Sequence, residues 1–417
     1  MKLLIKSATI IDKSQASLHM QQRDILIEKG KITAIRKSIA AEKKTKVLER
    51  ENLHVSPGWF DSSVSFGEPG YEERETLAKG LEVAGRSGFT GIVLNTNTQP
   101  HPDTGGDIVF LRETAKNHCT ALYPMGTVSL KSAGEALSEM YDMHLAGAIA
   151  FSDYKNSLNN PNLLKLALLY TQNFQSLVYS FPQEGQLNPK GQMHEGEVSL
   201  KLGLRGIPAL SESLRVARDL AILEYTGGKL HIPTISTGEA VSLIGAAKKK
   251  GLDVSCSVAI HHLWHTDEVL EGFDSDFKTL PPLRDKKEVK ALLKGLREGV
   301  IDYVTSDHCP LDVEEKRREF DQAAFGAIGL EETFGILNQL FGPEKAVEIL
   351  GRGRERFGLE KTTIAVGQQA ELTLFNPGTE YTLTQKDLLS TSSNSMFLGV
   401  PLKGKAYGII RGDKSLF

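Results

Sequence analysis

Cysteine is scarce. Cys119, Cys256 and Cys309 are the three in 417 residues, odd in number, widely spaced and without a C-x-x-C pair. That pattern fits a reduced setting, and a cytoplasmic location is expected. Long apolar runs are missing as well. No stretch of about 18 apolar residues suggests a membrane span. The opening Met1-Lys-Leu-Leu-Ile-Lys-Ser-Ala carries too short an apolar run for a signal peptide. Charge of one sign is not in excess: the net charge is −3 and Lys and Arg are dispersed, which argues against a nucleic-acid partner or an anionic membrane. Low-complexity segments and short internal repeats are absent.

What is present points to an α/β protein. At 417 residues with 40% hydrophobic content, the chain can bury a large core and is long enough for an α/β barrel plus a smaller unit. Residues 1–54 read as β, with two β-rich runs around Gly30 forming a hairpin signal. From 54 onward strands and amphipathic stretches alternate. Strands are expected at 54–60, 90–96, 121–128, 148–152, 176–181, 229–236, 253–260 and 302–306. Helices are expected at 72–86, 108–117, 163–173, 212–225, 240–250 and 288–298. Eight alternating strands imply parallel pairing and a closed (β/α)8 barrel. A doubly wound sheet is disfavoured because no Gly-rich fingerprint follows the first strand. After about 355 the β pattern returns, at 371–375 and 407–417 with a loop at Asn376-Pro-Gly, so both termini are expected to pair into one β-sandwich domain (1–54 and 356–417) beside a barrel (55–355).

A barrel places its chemistry at the C-terminal ends of its strands. Those ends carry Asp61, Ser63 and Ser65; Asn95 and Asn97; Ser152, Asp153 and Tyr154; Ser180; His231 and Thr234; His261 and His262; and Asp307, His308 and Cys309. The stretch 57–70, Pro-Gly-Trp-Phe-Asp-Ser-Ser-Val-Ser-Phe-Gly-Glu-Pro-Gly, is shaped like a ligand-bearing strand end, yet Ser63 and Ser65 stand where a zinc hydrolase presents a His-x-His pair.

Ordered motifs run along nearly the whole chain. They include Pro57-Gly-x-x-Asp61, Glu68-Pro-Gly70, Gly88-Phe-Thr90, Asn97-Thr-x-Pro100, Ser199-Leu-x-Leu-Gly203, Gly206-Ile-Pro208, Ala217-Arg-Asp219, His261-His-Leu263, Pro281-Pro-Leu-Arg284, Thr305-x-Asp307-His308, Gly329-Leu-Glu331 and Leu402-Lys-Gly404. Together they resemble the dihydroorotases of the long bacterial type in the amidohydrolase superfamily. The resemblance implies a barrel with a β-sandwich from both termini. It implies zinc held by a His-x-His pair, an acid after strand four, one His each after strands five and six, and an Asp after strand eight. In this sequence those positions fall at Ser63, Ser65, Asp153, Ser180, Thr234 and Asp307. Tyr154 replaces a second acid, Gly67 a substrate-binding Arg, and Leu280 an Asn, while Asn97 and His308 are kept as candidate substrate-binding residues.

Zinc takes about four ligands from imidazole, thiolate and carboxylate, and neutral hydroxyls bind it poorly. Four lost imidazoles leave two carboxylates, so no metal cofactor is expected and water would not be activated. Asp307 is the catalytic candidate if activity remains. Otherwise it is a buried acid that needs a hydroxyl or basic partner. His231, His261, His262 and His265 as a relocated metal site, and Cys309 as a nucleophile, weigh less than satisfied core or rim residues. Lys248–Lys250 and residues 314–319 read as solvated surface.

Three functions remain open. The first is a non-catalytic assembly or regulatory subunit of pyrimidine biosynthesis, like the inactive dihydroorotase homologues. The family resemblance supplies aspartate transcarbamoylase as its partner, and a homodimer is expected. The second is an active dihydroorotase, interconverting N-carbamoyl-L-aspartate and dihydroorotate with altered zinc ligation. The third is a metal-free small-molecule sensor built on Asn97, Asp307 and His308.

Overall fold

The computed structural model describes residues 2–417. Among these residues, eight parallel strands close into a barrel. In chain order they are β1 (Trp59–Val64), β2 (Phe89–Leu94), β3 (Ala121–Pro124), β4 (Ala150–Phe151), β5 (Leu177–Tyr179), β6 (Lys229–Ile232), β7 (Val254–Ala259) and β8 (Tyr303–Thr305). Ladders join β1 to β3 and β4 to β8 in sequence. Two single parallel bridges complete the ring: Gly126 with Phe151 between β3 and β4, and Val64 with His308 between β1 and the end of β8. β1, β2 and β7 are buried along their whole length, as strands covered on both faces must be.

Helices pack around the ring: α1 (Leu77–Arg86), α2 (Gly105–Ala115), α3 (Met140–Ala146), α4 (Pro161–Thr171), α5 (Ala209–Thr226), α6 (Gly238–Lys249), α7 (Lys286–Arg297) and α8 (Thr333–Phe341). Their starts follow local capping chemistry. Thr76, Asn160, Thr237 and Asp285 each accept a first-turn N–H, and Thr104 with Asp107 forms a reciprocal capping box. The Thr76 cap begins α1 at 77 rather than at the expected 72. α3 spans seven residues and α8 is buried at every position from Thr333 to Asn338, so neither offers the periodic pattern that marks the other helices.

Both termini form a second sheet of eight strands, in which Glu371–Thr382, Pro401–Arg411 and Lys414–Leu416 join the N-terminal strands through His54–Pro57. The Gly30 hairpin is present, with Lys29 and Gly30 both at positive φ. Strand Lys2–Ile10 shifts register between Ile5 and Ala8, where Ser7 has φ +51°. Its first half pairs with Lys46–Leu48 and its second with His54–Pro57. The sheet thereby wraps its own core of Leu3, Ile5, Ile10, Ile27, Leu372 and Ile410. The expected loop at Asn376-Pro-Gly is instead a bulge inside one long strand, because the Asn376 side chain accepts the Gly378 N–H at 2.8 Å and holds the turn locally. Among the described residues, no helix is long and apolar enough to cross a membrane.

The strand expected at 54–60 divides between the two units. His54–Pro57 belongs to the terminal sheet and Trp59–Val64 to the barrel. Gly58 makes the transfer: its N–H bonds Glu371 O at 3.0 Å, and a Cβ there would come within 2.2 Å of Thr90 Oγ1. Trp59, fully buried, then locks the junction. Its ring lies 4.6 Å from Phe334 of α8 and 5.4 Å from Phe375 of the terminal sheet, and its indole N–H bonds Ser56 Oγ at 3.0 Å. Trp59→Ala is expected to cost about 3–5 kcal/mol, read as a lowered urea midpoint at unchanged slope.

Candidate active site at the barrel mouth

Beyond a register shift between Asp61 and Val64, Ser63 and Ser65 alternate with Val64 at the end of β1. Asp61 accepts the Ser63 N–H at 3.0 Å, the Ser306 N–H at 2.9 Å and the Thr305 hydroxyl, tying β1 to β8. Ser63 and Ser65 both take N–H bonds from the Asn95 amide, at 3.2 and 3.0 Å. The Ser63 hydroxyl also lies 3.5 Å from Asp307 Oδ1. On its other oxygen Asp307 receives the Lys155 ammonium at 2.8 Å. The expected hydroxyl and basic partners of Asp307 are therefore both present. Burial pushes the Asp307 carboxyl upward, and the Lys155 charge opposes that push.

The remaining candidates are engaged elsewhere. Asp153 accepts the N–H groups of Val128 and Ser129, at 2.9 and 3.0 Å, and the Ser129 hydroxyl, which pegs the turn after β3. Ser180 donates to Asp219 at 2.6 Å, and Asp219 in turn pairs with Arg218. Thr234, at φ +46°, donates its N–H to Ser257 Oγ. His308 is fully buried. Its Nδ1 accepts the Gly329 N–H at 3.2 Å, which leaves Nε2–H to donate to Glu75 at 3.1 Å. Both ring nitrogens are thus occupied, and His308 structures the β8 loop rather than lining a substrate pocket. Asn97 differs: its side-chain oxygen is buried without a hydrogen-bond partner.

The histidines do not converge. Among the described residues, no three His, Cys, Asp or Glu side chains are grouped so as to hold a metal ion. His231 lies within the barrel, bonded to Ser255, Ser257 and Tyr303. His262 Nε2 donates to the carbonyls of Pro281 and Pro282. Burial raises the Cys309 thiol, which disfavours the nucleophilic thiolate. The donor set offered at the six positions, two carboxylates already engaged and four hydroxyls, does not fit zinc.

Two charged stretches are less solvated than expected. Lys316 is 2% exposed and donates to the carbonyls of Lys278 and Ala324, and burial lowers its ammonium to about 7. Lys248 reaches Val300 O and Asp302 across the foot of β8. Lys155 and Glu75 are site residues that the sequence reading does not single out. A lysine two positions past the strand-four acid was the available signal for Lys155, since an acid without a metal needs another cation.

The protein aligns over 99% of its length, and 98% of the relative's, with a dihydroorotase of Pelotomaculum thermopropionicum at 37% identity. The chain belongs to the dihydroorotase family. Residues 53–240 match the family described as Dihydro-orotase-like. A dihydroorotase of Syntrophus aciditrophicus is 35% identical over 97% of this chain and 96% of that protein. Among solved structures, the L-hydantoinase (dihydropyrimidinase) of Arthrobacter aurescens superposes with a TM-score of 0.83 at 22% identity, covering 99% of this chain and 95% of that one. That likeness supports the barrel-plus-sheet fold.

This family member holds its interior histidines neutral. Burial drives His231 and His261 well below the ordinary imidazole value, His262 to about 3 and His265 to about 4. Below pH 6.5 the unfolded chain takes up protons at these rings that the folded protein refuses, so stability falls as pH drops. Glu332, pushed upward by burial and by Glu331, opposes this by one proton. The melting temperature should therefore fall by several degrees between pH 7 and 5, measured by calorimetry, and His262→Gln should flatten the slope.

Proposed function

We propose that this dihydroorotase-family protein serves pyrimidine biosynthesis without zinc-dependent catalysis, as a non-catalytic assembly or regulatory subunit. The observation that carries the reading is the Lys155–Asp307 pair at 2.8 Å. The acid at the strand-eight position is neutralised by a side chain of the same protein. The hydroxyls of Ser63, Ser65, Ser180 and Thr234 support it, because a neutral hydroxyl is a poor zinc ligand and leaves no metal to activate water or polarise an amide. Gly67 adds to it, since no guanidinium is supplied there to clamp a substrate carboxylate. The intact barrel and terminal sheet leave the outer surface of the family available for assembly. Aspartate transcarbamoylase is the partner that the family resemblance suggests.

A second reading, an active enzyme interconverting N-carbamoyl-L-aspartate and dihydroorotate, is favoured by full-length identity of up to 37% to proteins named dihydroorotase. One preparation separates the two. After growth with added zinc, the purified protein is expected to contain far less than one zinc per chain and to leave dihydroorotate unhydrolysed, while co-purifying with a tagged transcarbamoylase from the same cells. Near-stoichiometric zinc with chelator-sensitive turnover would replace the proposal with the second reading. A lone homodimer that ignores the transcarbamoylase would remove the assembly role.

A further inference from the structure

The turn after β4 does more at the mouth than present a lost ligand. Tyr154 has φ +55°, a left-handed conformation that costs a bulky residue on the order of 1–3 kcal/mol. The turn directs two successive side chains inward. The Tyr154 hydroxyl reaches Ser65 at the end of β1 and Cys309 beyond β8. The next residue, Lys155, runs beneath it with its ammonium 5.2 Å from the Tyr154 ring centroid and 2.8 Å from Asp307 Oδ2. Its side chain is 11% exposed and that of Asp307 is 2% exposed. The ammonium also lies close enough to His261 to act on it electrostatically. One turn therefore meets side chains from the ends of β1 and β8.

We infer that Tyr154 and Lys155 form a built-in plug in which the Lys155 ammonium substitutes for a metal ion at Asp307, so that zinc can enter this barrel only after Lys155 is removed. An ammonium paired with a carboxylate at hydrogen-bond distance repels a divalent cation and occupies the oxygen the cation needs. Restoring imidazoles at Ser63, Ser65, Ser180 and Thr234 would rebuild the ligands without releasing the carboxylate. The loss of zinc chemistry is thus fixed by a residue outside the ligand positions. This rests on the reading of those positions as former zinc sites, which zinc analysis of the unaltered protein tests separately.

Two measurements decide it. The first compares zinc per chain, after dialysis against buffered zinc, in the fourfold variant Ser63→His/Ser65→His/Ser180→His/Thr234→His with and without Lys155→Met. Cobalt substitution, read by visible absorption, provides a second readout. Removing Lys155 is expected to raise metal affinity by roughly tenfold or more. Equal zinc in the two forms would overturn the inference while leaving the reading of the unaltered protein intact. The second is a double-mutant cycle on thermal unfolding with Lys155→Met, Asp307→Asn and both together, which needs no histidine variant to fold. Each single change is expected to lower the melting temperature by about 5 °C, because it strands a buried charge, and the double variant to recover much of that loss. Strictly additive losses would mean that the two side chains do not form the plug's ion pair, and the inference would fall.

Discussion

A carboxylate buried at the mouth of a barrel has to be matched by a positive charge or be protonated. In this protein Lys155 matches Asp307, and the rest of the mouth is arranged around that pair. Ser63 contacts the second Asp307 oxygen, Asn95 links Ser63 to Ser65, and Tyr154 closes over the lysine. At an effective dielectric of about 20, charges this close attract by several kcal/mol, which is similar to what taking them out of water costs. The pair therefore contributes position more than net stability. It fixes the β4 turn against β8 and leaves neither charge unpaired.

The backbone around this pair is strained at several strand ends. Tyr154, Thr234 and Asp307, which follow β4, β6 and β8, all have positive φ. Such conformations persist only where the surroundings enforce them. The side chains at these strand ends act as local fasteners. Ser180 is bound to Asp219, and Asp153 is bound to the turn after β3. The barrel interior behaves consistently: burial, with the Arg356 and Lys248 charges, pushes His231 toward its neutral form, and its ring nitrogens bond serine hydroxyls.

Much of the fold was legible because it rests on local chemistry. Short β-rich runs, the amphipathic stretches between them and the Gly30 turn each leave a mark within a few residues, and eight strand positions followed from their alternation. The misses have physical causes. α8 is buried on most sides, so its apolar residues show no helical face. Residues 54–60 read as one strand because nothing local announces that Gly58 must pass close to Thr90. Lys316 read as a surface charge because its carbonyl partners, on Lys278 and Ala324, are brought together by the loop's fold. At the site, the six strand-end positions were legible from motif order, whereas Lys155 and the occupied nitrogens of His308 were not.

By itself the sequence determined the family, the alternation that makes a barrel and the hydroxyl side chains at the positions of interest, since each is carried by residue identity and order along the chain. The tertiary structure alone decided what those side chains do. Lys155 and Asp307 are 152 positions apart, and Glu75 and His308 are 233 apart. Only closure of the ring between β1 and β8 brings such groups within hydrogen-bond distance. Pairing of a buried charge is a property of the space around it, and that space is set by every strand of the barrel at once.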